Sequence, residues 1–470
     1  MRPIAQIFFT QARFLSLRWG IVVCVTLSGC QKPGSASLQW LDGLAAPASA
    51  AQVLPWVPQA PADAAASAAL AWHALWVAQG GTAALPELLT AGARLTTRID
   101  PVWGGVLEQP AAALGDDLAK TFVSQALALE VFATLYWASG EQRFANAFVQ
   151  VDEYLQDWLR LRDGGYAQGQ LARPAELRPG LSAADYWGMR REHDRRSFGI
   201  PATRGQADSG ALLALARAYL VAANAFKDAN YLAAAGSLLQ DPVVVPDTVC
   251  SSAPLRLGLQ LKLWQHSGST ARLARLQSAL QTLLEARLEQ DHCAAAERSD
   301  AAGRIALAAT LQAFSLATAE LTLNDAPALL VQQALLAARG LAPNAQIPIL
   351  TTAKGLIAGP VAYLLQGKAS DPRWQFLHAL ARTPWEPRAQ LVLHNAAAAQ
   401  PAVLQICSPS LCALPIEAAA EPAPSVAAIR SALAQLQLTE PVAIPDQIPG
   451  LLGLPAVQGF ASTAPSGVVR

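Results

Sequence analysis

Apolar residues recur at helical spacing through Leu118, Phe122, Ala126, Leu129, Phe132, Ala133 and Trp137, and again through Phe144, Phe148, Val151, Leu155 and Leu159. Only Ser139-Gly140-Glu141 separates the two runs. The simplest way to cover both apolar faces is an antiparallel helical hairpin, the repeating unit of helical toroids and solenoids. Glycine turns bound this hairpin, Asp100-Pro101-Val102-Trp103-Gly104-Gly105 before it and Asp163-Gly164-Gly165-Tyr166 after it. The same period predicts helices over 64–79, 86–95, 181–194, 208–226, 229–239, 255–266, 270–289, 302–321 and 326–338, with Gly and Pro punctuating the connections. About eleven helices with little strand-like alternation predict an all-α layered ring rather than a βαβ fold.

Near residue 346 the pattern changes. Segments 347–350, 362–365, 391–393 and 403–406 read as short strands around one helix at 371–382, a small α/β cap, followed by an amphipathic stretch at 426–436. The expected organisation is a signal segment over 1–29, a tether over 30–63, the helical domain over 64–345, the cap over 346–440 and a poorly ordered Pro- and Gly-rich tail over 441–470.

Composition sharpens this picture at few points. Hydrophobic residues make up 53% and charged residues 14% of the 470 residues, yet after residue 30 no uninterrupted apolar run is long enough to span a bilayer. Lys+Arg and Asp+Glu both number 34, so there is no basic field for a nucleic-acid backbone. The N-terminus carries more information. Arg2, Arg13 and Arg18 precede a short apolar run that ends Leu27-Ser28-Gly29-Cys30. This resembles a bacterial lipoprotein signal, in which the thiol of Cys30 would take the lipid and Gln31 would favour the outer membrane. The bland alternative is an ordinary secretory signal with a chance cysteine. The stretch over 31–63 would then be a tether spanning roughly 30 Å if fully flexible. Once Cys24 leaves with the signal and Cys30 is lipidated, Cys250, Cys293, Cys407 and Cys412 remain, an even number in an oxidising compartment. The spacing of Cys407 and Cys412 suits a local bridge, leaving Cys250 for Cys293; four buried free thiols are the alternative.

Several motifs carry a family resemblance. Ile99-Asp100-Pro101-Val102-Trp103-Gly104-Gly105-Val106, Lys120 with Gln125-Ala126, Trp187 through Gly199-Ile200-Pro201, and Ile406-Cys407 with Cys412 and Pro415 together resemble the helical part of the thioredoxin domain-containing, spermatogenesis-associated (YyaL-like) proteins. The likeness runs over about 90–440. It implies a six-hairpin (α/α)6 toroid of the kind found in sugar epimerases and unsaturated-glucuronyl hydrolases, and hence carbohydrate as a ligand class. The family's N-terminal thioredoxin-like domain and its Cys-x-x-Cys motif have no counterpart here. Where the family has His-Pro-His-Phe-Glu-Lys, this chain has Gly115-Asp116-Asp117-Leu118-Ala119-Lys120, and its Gln-Asp-Ala-Asp is replaced by Gly169-Gln170-Leu171-Ala172.

Chemistry on a glycosidic bond needs positioned acid and base groups facing one cleft. The candidate acids are Asp100, Asp116, Asp117 and Asp208, with Asp163 and Asp185 also at loops or helix starts; each has an ordinary reading as a helix cap or turn. Trp103, Tyr166, Tyr186 and Trp187 could form an aromatic floor for a sugar or simply fill core, and the glycines beside Trp103 favour tight packing there. Lys120 and Gln125, retained from the family motif, join them as candidate ligand contacts. The run Arg190, Arg191, Glu192, His193, Asp194, Arg195, Arg196 reads as a solvated helix end or as a grip for an acidic glycan or a phosphorylated lipid head group. The six histidines have no paired spacing, so neither a metal nor another cofactor is expected. Three function classes follow: a lipid-anchored, periplasm-facing toroid, a degenerate or non-catalytic relative of that family, that binds a saccharide or envelope component; an active epimerase or glycosidase; and a scaffold that docks an envelope protein.

Overall fold

The computed structural model describes residues 65–439 except 116, 176–180, 241–251, 290–300, 319–324, 339–340, 342, 359, 387–388, 396–401, 409–411 and 418–424. The signal segment, Cys30, nearly all of the tether and the tail lie outside the described residues, as do Asp116, Cys250 and Cys293.

The chain is mainly α. Helical hairpins pair α1 (Ser67–Ala78) with α2 (Leu85–Thr96), and α3 (Phe122–Ser139) with α4 (Gln142–Tyr154), which runs on as a π-helical turn over Leu155–Leu159. Three further pairs follow: α7 (Ser209–Phe226) with α8 (Ala229–Leu238), α9 (Ser252–Ser267) with α10 (Thr270–Glu289), and α11 (Ala301–Thr318) with α12 (Asp325–Ala338). Between the second and third pairs lie two short helices, α5 (Ala183–Gly188) and α6 (Glu192–Ser197), and a last long helix, α13 (Pro343–Ala358), follows the fifth.

The first helix of each hairpin packs on the first helix of the next, α1 on α3, α3 on α7, α7 on α9, α9 on α11 and α11 on α13, and α13 returns to α1. Six inner helices therefore close a ring, the expected toroid. The hydrophobic pattern explains who goes inside. α3 is buried at every position from Phe122 to Leu135 except Val123, whereas its partner α4 buries only Phe144, Ala145, Ala147, Phe148, Val151 and Tyr154, one stripe. α2 repeats this outer pattern with Leu88, Ala91, Gly92 and Leu95. α7 is apolar and long enough to cross a membrane by composition alone, but it is an inner helix of this ring. Ring closure is sealed where Lys354 of α13 donates to the Trp76 carbonyl of α1 (3.1 Å).

Because each inner helix is preceded by a connection from an outer one, those connections gather on the rim that holds the inner helices' N-termini. The two longest described ones, 97–121 and 160–208, build a three-stranded antiparallel sheet from β1 (Leu118–Thr121), β2 (Gly169–Leu171) and β3 (Thr203–Arg204). The C-terminal subdomain is a sheet ordered β5-β4-β6-β7 (Ala389–Asn395, Val361–Gly367, Val403–Cys407, Ile416–Glu417), with β4 and β5 parallel across α14 (Pro372–Ala381). α14 and α15 (Val426–Thr439) cover Tyr363, Leu365, Leu404 and Ile406. Trp137 Nε1 donates to the Thr383 carbonyl (2.7 Å) and Gln265 Nε2 to the Leu391 carbonyl (3.0 Å), tying subdomain to ring. A disulfide joins Cys407 and Cys412, the local bridge expected from their spacing.

Three local expectations change. The segment 347–350, read as a strand, is helical within α13 despite Pro348, because a short apolar run carries no period to separate a strand from a buried helix. Leu118, counted with the central helix, belongs to β1; Thr121 caps α3 by accepting from the Ser124 N–H, which starts the helix one turn later. The helix expected over 181–194 is broken after Gly188, where Met189 and Arg191 are extended, giving α5 and α6.

Candidate functional site

The turn before the central hairpin is a tight loop closed by Asp100 N–H to the Gly105 carbonyl (2.9 Å) and Gly104 N–H to the Asp100 carbonyl (3.0 Å). Gly104 and Gly105 both take positive φ, 72° and 70°. A methyl on Gly104 would lie 2.5 Å from the Gln150 carbonyl oxygen, and one on Gly105 would enter the Tyr154 ring. The glycines thus let the loop lie directly on α4, the close packing expected beside Trp103.

That approach drives Asp100 into the protein. Its Oδ2 accepts from Lys120 Nζ (2.8 Å) and from Arg195 Nη1 (2.7 Å), and its Oδ1 accepts from the Val102 N–H (3.1 Å). All three charged side chains are fully buried. Lys120 also donates to the Gly104 carbonyl (2.6 Å), while Arg195 donates to the carbonyls of Trp187 (2.9 Å) and Met189 (3.0 Å). Aromatic rings wrap the cations: Lys120 Nζ lies 4.2 Å from the Tyr154 centroid and 4.8 Å from Trp187, and Arg195 lies 5.1 Å from both Trp103 and Trp187. Burial alone would push the Asp100 carboxyl up, but Lys120 and Arg195 outweigh it and hold it below the ordinary carboxylate value. Burial pulls Lys120 down to about 8 against the opposing pull of Asp100, so it remains a cation at neutral pH.

The other candidates surround this cluster without opening it. Trp103 packs on Trp158, Tyr186 and Trp187, with centroids 4.9, 6.2 and 5.9 Å away. Trp187 Nε1 donates to the Ala172 carbonyl and Tyr186 Oη to the Gly199 carbonyl, both at 2.8 Å. Gln125 clamps Val106 from both sides, accepting from its N–H (2.6 Å) and donating to its carbonyl (2.9 Å). Tyr166 is buried against Phe122. Asp117 is exposed and pairs with Arg204 (3.1 Å), Asp208 caps α7 at the Ala211 N–H (2.7 Å), Asp185 forms a capping box with Ser182, and Asp163 holds the Gly165 N–H. Asp116 lies outside the described residues.

Within the basic run, Arg190, Arg191 and Arg196 are exposed, as a solvated helix end should be, but Arg195 is core. Nothing in the local pattern distinguishes it. The local pattern does not mark Asp152 either: Tyr219 Oη donates to it (2.7 Å), and burial raises its carboxyl against that hydrogen bond.

A second set of polar side chains faces the inside of the ring. Arg217 of α7 pairs with Glu130 of α3 (2.7 Å) and rests over Trp72 of α1 at 5.1 Å. Since α7 and α1 are not ring neighbours, this reach runs through the lumen. Lys354 of α13 sits 3.9 Å from the Trp76 centroid. Both tryptophans are half-buried. A signal for these residues was present: Glu130, Arg217 and Lys354 are each the only Asp, Glu, Lys or Arg in an otherwise apolar inner helix.

No protein-family model matches the chain, and no curated protein matches it. Among solved structures it is similar to the crystal structure of a family 76 glycoside hydrolase from a bovine Bacteroides thetaiotaomicron strain, at 11% identity and a TM-score of 0.35, over 62% of this chain. The match spans about half (54%) of that chain. The closed ring rests on its own helix contacts and not on this likeness.

Proposed function

We propose that the protein is a saccharide-binding toroid of the bacterial envelope, lipid-anchored through Cys30, outer-membrane and periplasm-facing, and a non-catalytic relative of the YyaL-like proteins. One observation carries the reading: both oxygens of the Asp100 carboxylate are consumed by Lys120, Arg195 and the Val102 N–H in a fully buried knot. A carboxylate held ionised and sealed from solvent neither donates a proton to a leaving group nor activates a water. Asp117, Asp163, Asp185 and Asp208 are exposed and take part in an ion pair, a turn and caps. Trp72 and Trp76 stay partly exposed although Arg217 and Lys354 each lie over one of them, and this supports a saccharide as ligand, since indoles bury the apolar faces of sugars.

The test is a thermal-shift screen of the protein against neutral and acidic oligosaccharides, with chromatographic analysis of the same mixtures for products. A raised melting temperature with unchanged oligosaccharide is the expected result. Product formation abolished by Asp152→Asn would replace this reading with an enzyme. Cys30→Ala should move the protein from the membrane to the soluble fraction without changing its melting temperature; unchanged fractionation would remove the anchor.

A further inference from the structure

We propose that the lumen of the ring holds the acid group of an anionic saccharide, carboxylate or phosphate, on Lys262 of α9, with the sugar against Trp72 and Trp76. This rests on the saccharide reading above and adds the ligand's charge and its place. Lys262 lies on α9 between neighbours that pack to either side: Leu259 and Leu263 join the core shared with α7, and Leu257, Leu261 and Trp264 join the core shared with α10 and α11. The face left to Lys262 is the lumen. Its charge is influenced by Arg217 of the neighbouring α7 and by Glu130 of α3, which is not a ring neighbour of α9.

The side chain keeps solvent contact, yet it makes no hydrogen bond or ion pair among the described residues. Enclosure by the ring lowers its pKa, Arg217 adds to the shift, and Glu130 opposes it. The charge balance inside the lumen points the same way. Among the described residues, Glu130 is committed to Arg217, Lys354 donates to the Trp76 carbonyl and lies over the Trp76 ring, and Lys262 has no counterion. Lys262 is solvent-exposed, so its ammonium is open to an incoming anion, and beside the ring wall that pairing is stronger than in bulk water. Arg217, which acts on Lys262, also lies over the half-buried Trp72, so an indole and a solvent-open cation flank the same residue, a pairing that fits a sugar bearing an acid.

The experiment is isothermal titration of the full chain with trigalacturonate, with its uncharged methyl ester, and with glucose 6-phosphate against glucose. At least one charged probe should bind ten-fold or more tightly than its neutral counterpart. Lys262→Gln should lower that affinity at least ten-fold while Lys262→Arg retains it, and neither should shift the melting temperature, because Lys262 makes no structural bond. Equal binding of charged and neutral probes would overturn the charge inference and leave the saccharide reading standing. Preferential binding of an acid that Lys262→Gln leaves intact would overturn the placement. Binding of none of the probes would overturn both.

Discussion

Removing the Asp100 carboxylate by Asp100→Ala strands two buried cations. Two charge-assisted hydrogen bonds, from Lys120 and Arg195, contribute about 1.5–3 kcal/mol each, and the Val102 N–H adds about 1 kcal/mol. The gross loss is roughly 4–7 kcal/mol. Water entering the vacated space recovers part of it, and breaking a buried ion pair costs about 3–5 kcal/mol, so the expected destabilisation is about 4 kcal/mol. For a domain of this size that is a fall in Tm on the order of 10 °C. Urea and thermal unfolding would measure it. Lys120→Met introduced into the same variant should restore part of the loss, because it removes one stranded cation. A destabilisation under about 1 kcal/mol would refute the structural role. So would loss of saccharide binding at an unchanged melting temperature, which would make Asp100 a ligand contact.

Gly105→Ala should cost about 2–4 kcal/mol, from left-handed backbone strain together with overlap on the Tyr154 ring, whereas Gly140→Ala, at φ 72° with nothing near its added methyl, should cost about 1 kcal/mol. Equal urea midpoints for the two variants would show that the Asp100 loop does not rest on α4. Burial pushes His378 down to about 4, with the Gln265 carbonyl opposing and Arg382 adding, and burial beside Arg382 pushes His266 down to about 3. Above pH 6.5 both are neutral in either state; as pH falls to 4 the unfolded chain takes up protons that the folded one refuses, so stability declines, by about 3 kcal/mol for His378. His378→Gln should flatten the Tm profile between pH 6.5 and 4, and a slope identical to the parent's would contradict the assignment.

Much of the ring was legible because helical period and capping are local. Asp208, Asp371 and Gly140 end or begin their helices as their residue types demand. The segment 347–350 was not, since Ile-Pro-Ile-Leu holds no period, and only packing of α13 between α11 and α1 decides it. The candidate site shows the same division. The glycine turn and Lys120 were visible as a motif, but their partner Arg195 lies 95 residues from Asp100 inside a run of outwardly similar cations. Glu130, Arg217 and Lys354 were visible as single charges in apolar helices, whereas Lys262 shares its helix with Arg256, and a charge does not say whether it faces a neighbour, solvent or a central channel until the ring closes.

The most direct test of the account is a side-by-side titration of the parent protein, Asp100→Asn and Lys262→Gln with one saccharide that binds, each variant checked for its fold by circular dichroism. The account predicts that Asp100→Asn lowers stability yet keeps the parent's affinity, while Lys262→Gln keeps the parent's stability and loses affinity. The reverse pattern, binding lost with Asp100 and untouched at Lys262, would place the ligand at the rim and contradict it.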